Sequence, residues 1–395
     1  MQIMDYSAYL LLSDYEHYEQ GLECKVIACF SKAIYCADVN QLDNIICFTP
    51  QWVTLGPLSI RVYQWEVLFD YMNLLMRTSQ YFVLRIVKEN LMIDNLELSL
   101  EKNRHRAKLI NTATRIGCVD FLSLNPILFS QCGSFSEKYS AALKGFLNSD
   151  FSLVQKIYST GLGMILPWIL STNRNLVELF FQLDKKRKSS TGYVSHLARM
   201  SSKRALSSST LKNKGQFLLS NLGFEEQKLL FDHKTHFIKD VLTAIHLIHL
   251  GLIKNEYESI SRGVKQLIGF GDGLTPSGDD FLVGLIISFK YFKHKRLHSL
   301  LKRAIVGHWK NTHKISRAFL KAAIDGFVSE PLANSLDSLY QFITIDKHNQ
   351  KVTNDLIHSI KHLFTIGHSS GIDALTGLVF GVGILTQQTR CSSKI

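Results

Sequence analysis

Two stretches of this chain carry one pattern, S-G-x-D-x-L-x-G-L, over residues 277–285 and again, without a gap, over residues 370–378. In each copy Ser-Gly stands where a helix can begin. An Asp follows in the first turn, where a carboxylate suits the positive end of the helix dipole. A Gly comes four residues after that Asp, one turn further on, where a second helix can approach closely. Two helices of this kind are expected to pack through Gly284 and Gly377 and to aim Asp280 and Asp373 at one cleft. The competing reading is a coincidence between two capped helices with Leu-rich faces.

The first copy follows a loop with Gly269, Gly271 and Gly273 at alternate positions, then Leu274-Thr275-Pro276. Glycines so dense sacrifice conformational entropy and offer no side chain to a core, so the loop exists to bring backbone close to something. Capping by Ser277 or Thr275 explains one hydroxyl, and Asp279 or Asp280 in the first turn explains one acid, but not the whole run. A ligand site is the stronger reading, with Gly271, Gly273, Thr275, Ser277 and Gly278 as binding residues. Gly367-His368-Ser369-Ser370-Gly371 precedes the second copy and adds an imidazole and two hydroxyls; His368 could serve as a general acid or base. The first loop is neither a P-loop nor a dinucleotide fingerprint, since no Lys stands in the Walker position. Asp272, Asp279 and Asp280 should repel a bare phosphate unless Mg²⁺ or a cationic side chain intervenes, and should accept N–H donors such as an amide. His294 with His298, and His358 with His362, have i, i+4 spacing but no H-E-x-x-H context, so exposed helix-face histidines are expected rather than zinc ligands.

Residues 25–62 read as short strands of an antiparallel, barrel-like unit, with Cys24, Cys29, Cys36 and Cys47 as small core side chains. Residues 63–88 are apolar at helical spacing, and 91–100 return to alternation around Asp94-Asn95. Beyond Glu101 the pattern is helical, with a broad apolar face over 227–253. The expected fold is therefore α+β: a β-rich unit over 1–100, a helical region over 101–260, and a helical signature region over 261–395. Within the middle region, residues 184–216 form a basic, Ser-rich stretch without periodicity, expected to be a loop.

Charge first suggests nucleic acid, because the chain of 395 residues carries +12. Residues 184–214 alone supply +8 of it and bring no aromatic platform, so nucleic acid is not the expected partner. Seven Cys form no C-x-x-C and leave an odd count, which suits reducing cytosol rather than a disulfide framework or zinc site. The first 23 residues contain acids, no basic residue and no small-residue cleavage site, so no signal peptide is expected. No apolar run approaches the roughly 18–20 residues that span a bilayer, so no membrane role is expected.

The run Gly269 to Leu282, the downstream Ile315-Ser316-Arg317-Ala318-Phe319-Leu320, and Gly367-His368-Ser369-Ser370-Gly371-x-Asp373 resemble the AllH family, whose namesake is a subunit of oxamate carbamoyltransferase in anaerobic allantoin (purine) catabolism. The resemblance extends faintly to Gly56-Pro57-x-Ser59-Ile60, and Asp272 stands where that family usually carries Pro. It implies reversible carbamoyl transfer between carbamoyl phosphate and oxamate, giving oxalurate and phosphate. It also implies a complex of unlike subunits, including an acyl-CoA-synthetase-like large one. On that basis Thr275, Ser277, Ser369 and Ser370 would orient substrate oxygens, Asp279, Asp280 and Asp373 would hold N–H groups, with Mg²⁺ possible at Asp279 and Asp280, and His368 would move a proton. The alternative is a non-catalytic assembly or ligand-sensing subunit of a related enzyme.

Overall fold

The computed structural model describes residues 2–6, 21–41, 44–62, 65–87, 90–93, 96–100, 162, 240–241, 243–344 and 350–392. The basic stretch 184–216 and the first part of the apolar face over 227–253 lie outside them. Among the described residues the fold is α+β, a β-barrel followed by a body of helices.

Eight strands close the barrel in the order β1-β5-β4-β3-β2-β6-β7-β8: β1 Gln2–Tyr6, β2 Leu22–Phe30, β3 Ala33–Asp38, β4 Ile45–Pro50, β5 Ser59–Val62, β6 Tyr81–Val87, β7 Asn90–Ile93 and β8 Leu96–Leu100. Most neighbours are antiparallel, as alternation suggested, but β4–β5 and β1–β8 pair parallel. Residues 63–88 are not one helix. Helix α1, Trp65–Thr78, stops at Ser79, whose φ of 52° turns the chain back, and the β-branched and aromatic run that follows is β6. Trp65, Leu68, Met72 and Leu75 of α1 join Val26, Ile34, Cys36, Ile46, Phe48 and Val62 in the barrel core, and the Trp65 Nε1–H donates to the Ser31 carbonyl at 3.1 Å.

Strand periodicity gives β3 and β4 a second buried face. On β3, Ile34 and Cys36 face the barrel core while Tyr35 and Ala37 join a separate cluster with Ile45, Cys47 and Leu58. That cluster is completed by Ile315, Ala318, Ala322 and Phe327 from the helical body, and Leu274 of the first Gly loop and Phe319 pack against it. Every residue of β4 is buried for this reason.

The helical body is assembled from residues 243–254, α2 Tyr257–Leu267, α3 Ser277–Tyr291, α4 Lys295–His308, α5 Lys314–Asp325, α6 Glu330–Thr344, α7 Gln350–Leu363 and α8 Ser370–Ser392. At its centre α3 and α8, the two pattern helices, are buried on nearly every side, which suits helices that are apolar all round. A Cβ on Gly284 would overlap the carbonyl of Ala374, and one on Gly377 would overlap that of Phe281. Further along, one on Gly381 would overlap the Ser288 hydroxyl. Each contact relates residues about 93 apart in the same sense, so the helices run parallel and their N-termini lie together. No helix among the described residues is long and apolar enough to cross a membrane.

Candidate functional site

The Gly loop between α2 and α3 takes its shape from three left-handed glycines, Gly269, Gly271 and Gly273, with φ of 75°, 110° and 94°. L side chains rarely adopt that region, which explains the alternate spacing. A Cβ on Gly278 would overlap the carbonyl of Leu267, the last residue of α2, and one on Gly371 would overlap that of Leu363, the last residue of α7. The two units are therefore seated alike.

Capping differs from the hydroxyl cap that the sequence suggests. The N-cap of α3 is Pro276, which makes no side-chain cap, and Ser277 is the first helical residue, buried. Thr275 turns instead to the other unit: its Oγ1 lies 3.1 Å from Ser370 Oγ. At α8 the Ser369 carbonyl accepts from the Ile372 and Asp373 amides at 2.9 Å, and Gly367 (φ 57°) makes the preceding turn.

The four candidate chemical residues fall into three settings. Asp279 is buried and fully engaged. Its Oδ1 accepts from the Gly269 amide at 2.8 Å, and its Oδ2 accepts from Ser316 at 2.6 Å and from Thr312. Burial pushes its carboxyl above the ordinary range, against the pull of those three donors and of the His313 charge. Three donors leave it poorly placed to serve a cation; it ties the loop to the start of α5. Asp280 and Asp373 form the second setting, at the paired N-termini. Asp280 is held well above the ordinary carboxylate range by burial and by the Asp373 charge, with Asp279 adding to this, while the Ser370 and Thr275 hydroxyls pull the other way. Its Oδ2 is buried with no hydrogen-bond partner among the described residues. Asp373 is wholly buried and accepts from the Leu162 amide. His368 is the third setting, exposed in the turn before α8, as Asp272 and Gly273 are on the first loop.

The barrel supplies residues that sequence reading did not single out. Tyr35 on β3 is the register partner of Cys47 on β4, which is the partner of Ser59 on β5. The three side chains make a polar row on the barrel face turned to α5. Burial lifts the Cys47 thiol to about 12, against the pull of the neighbouring Tyr35 and Ser59 hydroxyls, and its Sγ–H points at the Phe48 carbonyl. Burial also lifts the Tyr35 phenol, as do its Cys47 partner and the nearby Asp280 carboxylate. The Tyr35 ring meets Phe319 of α5 edge-on, centroids 6.4 Å apart. The only available signal was strand alternation, which puts Tyr35 on the opposite face from Ile34 and Cys36 but says nothing of what that face meets.

Histidine pairing has local explanations. His294 Nδ1 accepts from the Leu297 amide at the start of α4, and His298 Nε2 lies 3.2 Å from the Ile324 carbonyl, so His298 is half-buried rather than exposed. Among the described residues no group of three His, Cys, Asp or Glu side chains could hold a metal ion.

Residues 267–382, from the last residue of α2 into α8, match the family model of oxamate carbamoyltransferase subunit AllH. Both loop-helix units and α5 fall within the match, and the barrel lies outside it. No solved structure matches the chain.

Proposed function

We propose that this chain is a subunit of a carbamoyltransferase that exchanges a carbamoyl group between carbamoyl phosphate and oxamate, with its ligand site at the paired N-termini of α3 and α8. The supporting observation is the convergence of the two units inside the matched segment: Thr275 and Ser370, 95 residues apart in sequence, share a hydrogen bond beside the Asp280 carboxyl. In the forward direction the carbamoyl carbon leaves the phosphate oxygen and joins the oxamate amide nitrogen. That nitrogen gives up one proton, and phosphate departs with the electron pair.

Each group has a task in this reading. The positive dipole ends of two parallel helices favour a carbonyl or carboxylate oxygen beside them, although the amides of Gly278, Asp279, Asp280, Gly371, Ile372 and Asp373 already donate to nearby carbonyls. Thr275, Ser277, Ser369 and Ser370 add hydroxyls, and Asp280, held toward its neutral form, can donate as well as accept. Asp279 fixes the loop, and on this reading His368, exposed in the turn before α8, is the residue that takes the proton. Large subunits of unlike sequence complete the enzyme.

Calorimetry of the chain, alone and with its partner subunits, against carbamoyl phosphate, oxamate and oxalurate tests this. Saturable binding to the chain, with phosphate release only in the complex, is the expected result. Binding without any role in turnover when Asp280 and His368 are replaced would favour the ligand-sensing alternative. No binding and no phosphate release by the assembled complex would overturn the proposal.

A further inference from the structure

We infer that Asp373 is a positioning residue, whose carboxylate pins the backbone of Leu162 to the first turn of α8. Asp280, its counterpart in the repeat, is left as the acid that meets the ligand. The inference rests on the reading of the paired N-termini as a ligand site, and it extends that site to a residue outside the matched segment 267–382.

The two acids hold the same place in the S-G-x-D-x-L-x-G-L pattern, on parallel helices that meet through Gly284 and Gly377. Their surroundings differ. Asp373 is 0% exposed, and its Oδ1 accepts from the Leu162 amide at 2.5 Å, across 211 residues of chain. Leu162 is 1% exposed and belongs to the same apolar core as Phe281 and Leu285 of α3 and Ile372 and Leu378 of α8. A carboxylate so enclosed cannot touch a ligand that arrives from solvent, so Asp373 acts on the site only through what it holds. Asp280 keeps some exposure, and its Oδ2 has no hydrogen-bond partner among the described residues.

The first unit uses the same device from the neighbouring position, where Asp279 accepts from the Gly269 amide at 2.8 Å. Each pattern helix therefore carries one buried acid that takes a backbone N–H from another segment. An N–H donated to a carboxylate is among the stronger hydrogen bonds, and more so where water is excluded. Three residues before Asp373, Ser370 Oγ lies 3.1 Å from Thr275 Oγ1, so slack at the Leu162 contact reaches that hydroxyl pair within one helical turn. What the Leu162 amide requires is an acceptor, and no proton leaves it. The carbonyl oxygen of an Asn can meet that requirement, and an Ala cannot.

Hydrogen exchange of the unmodified chain reads the contact without any substitution. The Leu162 amide should exchange at least about a thousandfold more slowly than an unstructured amide, and exchange at the unstructured rate overturns the inference. In the assembled complex, Asp373→Ala should raise the KM for oxamate at least about tenfold, while Asp373→Asn should stay within about threefold of the parent in both KM and kcat. Each variant is assayed at its own pH optimum, because both substitutions remove a charge that Asp280 senses. Asp280→Ala should cost at least about tenfold in kcat/KM, and an unchanged value would remove it as the ligand's acid. A kcat about a hundredfold lower in Asp373→Asn at unchanged KM would make Asp373 an acid or base and overturn its positioning role. A lowered melting temperature in Asp373→Ala with unchanged KM and kcat would make the contact structural only, and overturns it too. Where the complex transfers no carbamoyl group, the proposed reaction fails by itself and Leu162 exchange still decides the pin: protection kept in Asp373→Asn and lost in Asp373→Ala supports it, and equal protection in the two refutes it.

Discussion

Gly284 of α3 lies against the carbonyl of Ala374 in α8 so closely that no side chain fits between them. Gly377 repeats the relationship in reverse, against Phe281. This crossing fixes how near the two N-termini come and hence whether Asp280 senses Asp373. Backbone cannot retreat as a flexible side chain can, so Gly284→Ala and Gly377→Ala must force the helices apart. Each should destabilise by about 2–3 kcal/mol despite the gain in helix propensity. Gly383→Ala, where an added Cβ meets nothing within 4 Å, should be neutral or stabilising. Urea denaturation of the three variants checks this, and a Gly284→Ala protein as stable as the parent would show that the helices are not locked.

Asp279 should behave as a fastener. Asp279→Ala strands the Gly269 amide and the Thr312 and Ser316 hydroxyls, all now without their acceptor. A loss of roughly 2–4 kcal/mol is expected, since unsatisfied buried donors cost about 1–3 kcal/mol each and the hydroxyls can partly rotate to other partners. Asp272→Ala on the exposed tip of the same loop should change stability by less than about 0.5 kcal/mol. Equal effects at the two positions in chemical denaturation would refute the distinction.

How much of this was legible beforehand depends on whether the constraint is local. The repeat was visible because close helix approach demands Gly and a helix start favours Ser and Asp, and both demands act on neighbouring residues. The strands over 25–62 were visible for the same reason, as period-two alternation. The direction of pairing between β4 and β5 was not, because it depends on a connection and not on the strand. The boundary at Ser79 was missed because apolar residues run on through Tyr81 and Phe82, and helical and extended periods coincide over such a short run. Asp279 and Asp280, adjacent and alike in sequence, part company only because one faces α5 and the other faces α8. Tyr35 could not be placed against α5, since its partners come from strands and helices far along the chain.

Thiol reactivity should rank by burial. Cys24 and Cys47 are lifted to about 12, Cys36 is raised well above its ordinary value, and all three are buried. Cys29 is partly exposed and raised less. The thiolate is the reactive form, so a maleimide at pH 8 should modify Cys29 first among these four in the native protein. Mass spectrometry of peptides from a time course checks the order; early labelling of Cys47 would show that the polar row is open to solvent.

The Asp280 carboxyl should leave a signature in the dependence of stability on pH. Its folded-state value is raised above the ordinary 3.8, by burial first and by Asp373 second. A carboxyl raised in the folded state binds more protons there than in the unfolded chain, so its contribution to stability is complete below about 3.8 and declines as pH climbs toward the raised value. Above that value the loss is constant. Asp280→Asn has no proton to lose, so its advantage over the parent should be absent near pH 3.8, grow as pH rises, and then level off. The gain should read as about 2–4 °C in melting temperature for each kcal/mol recovered. Ser370 and Thr275 oppose the shift, so Ser370→Ala, which removes one of these hydroxyls, should carry the decline to higher pH in the parent background and enlarge the total loss. Thermal unfolding of the parent, Asp280→Asn and Ser370→Ala between pH 4 and 9 decides it, and parallel curves for the parent and Asp280→Asn would mean that Asp280 ionises as an ordinary surface acid.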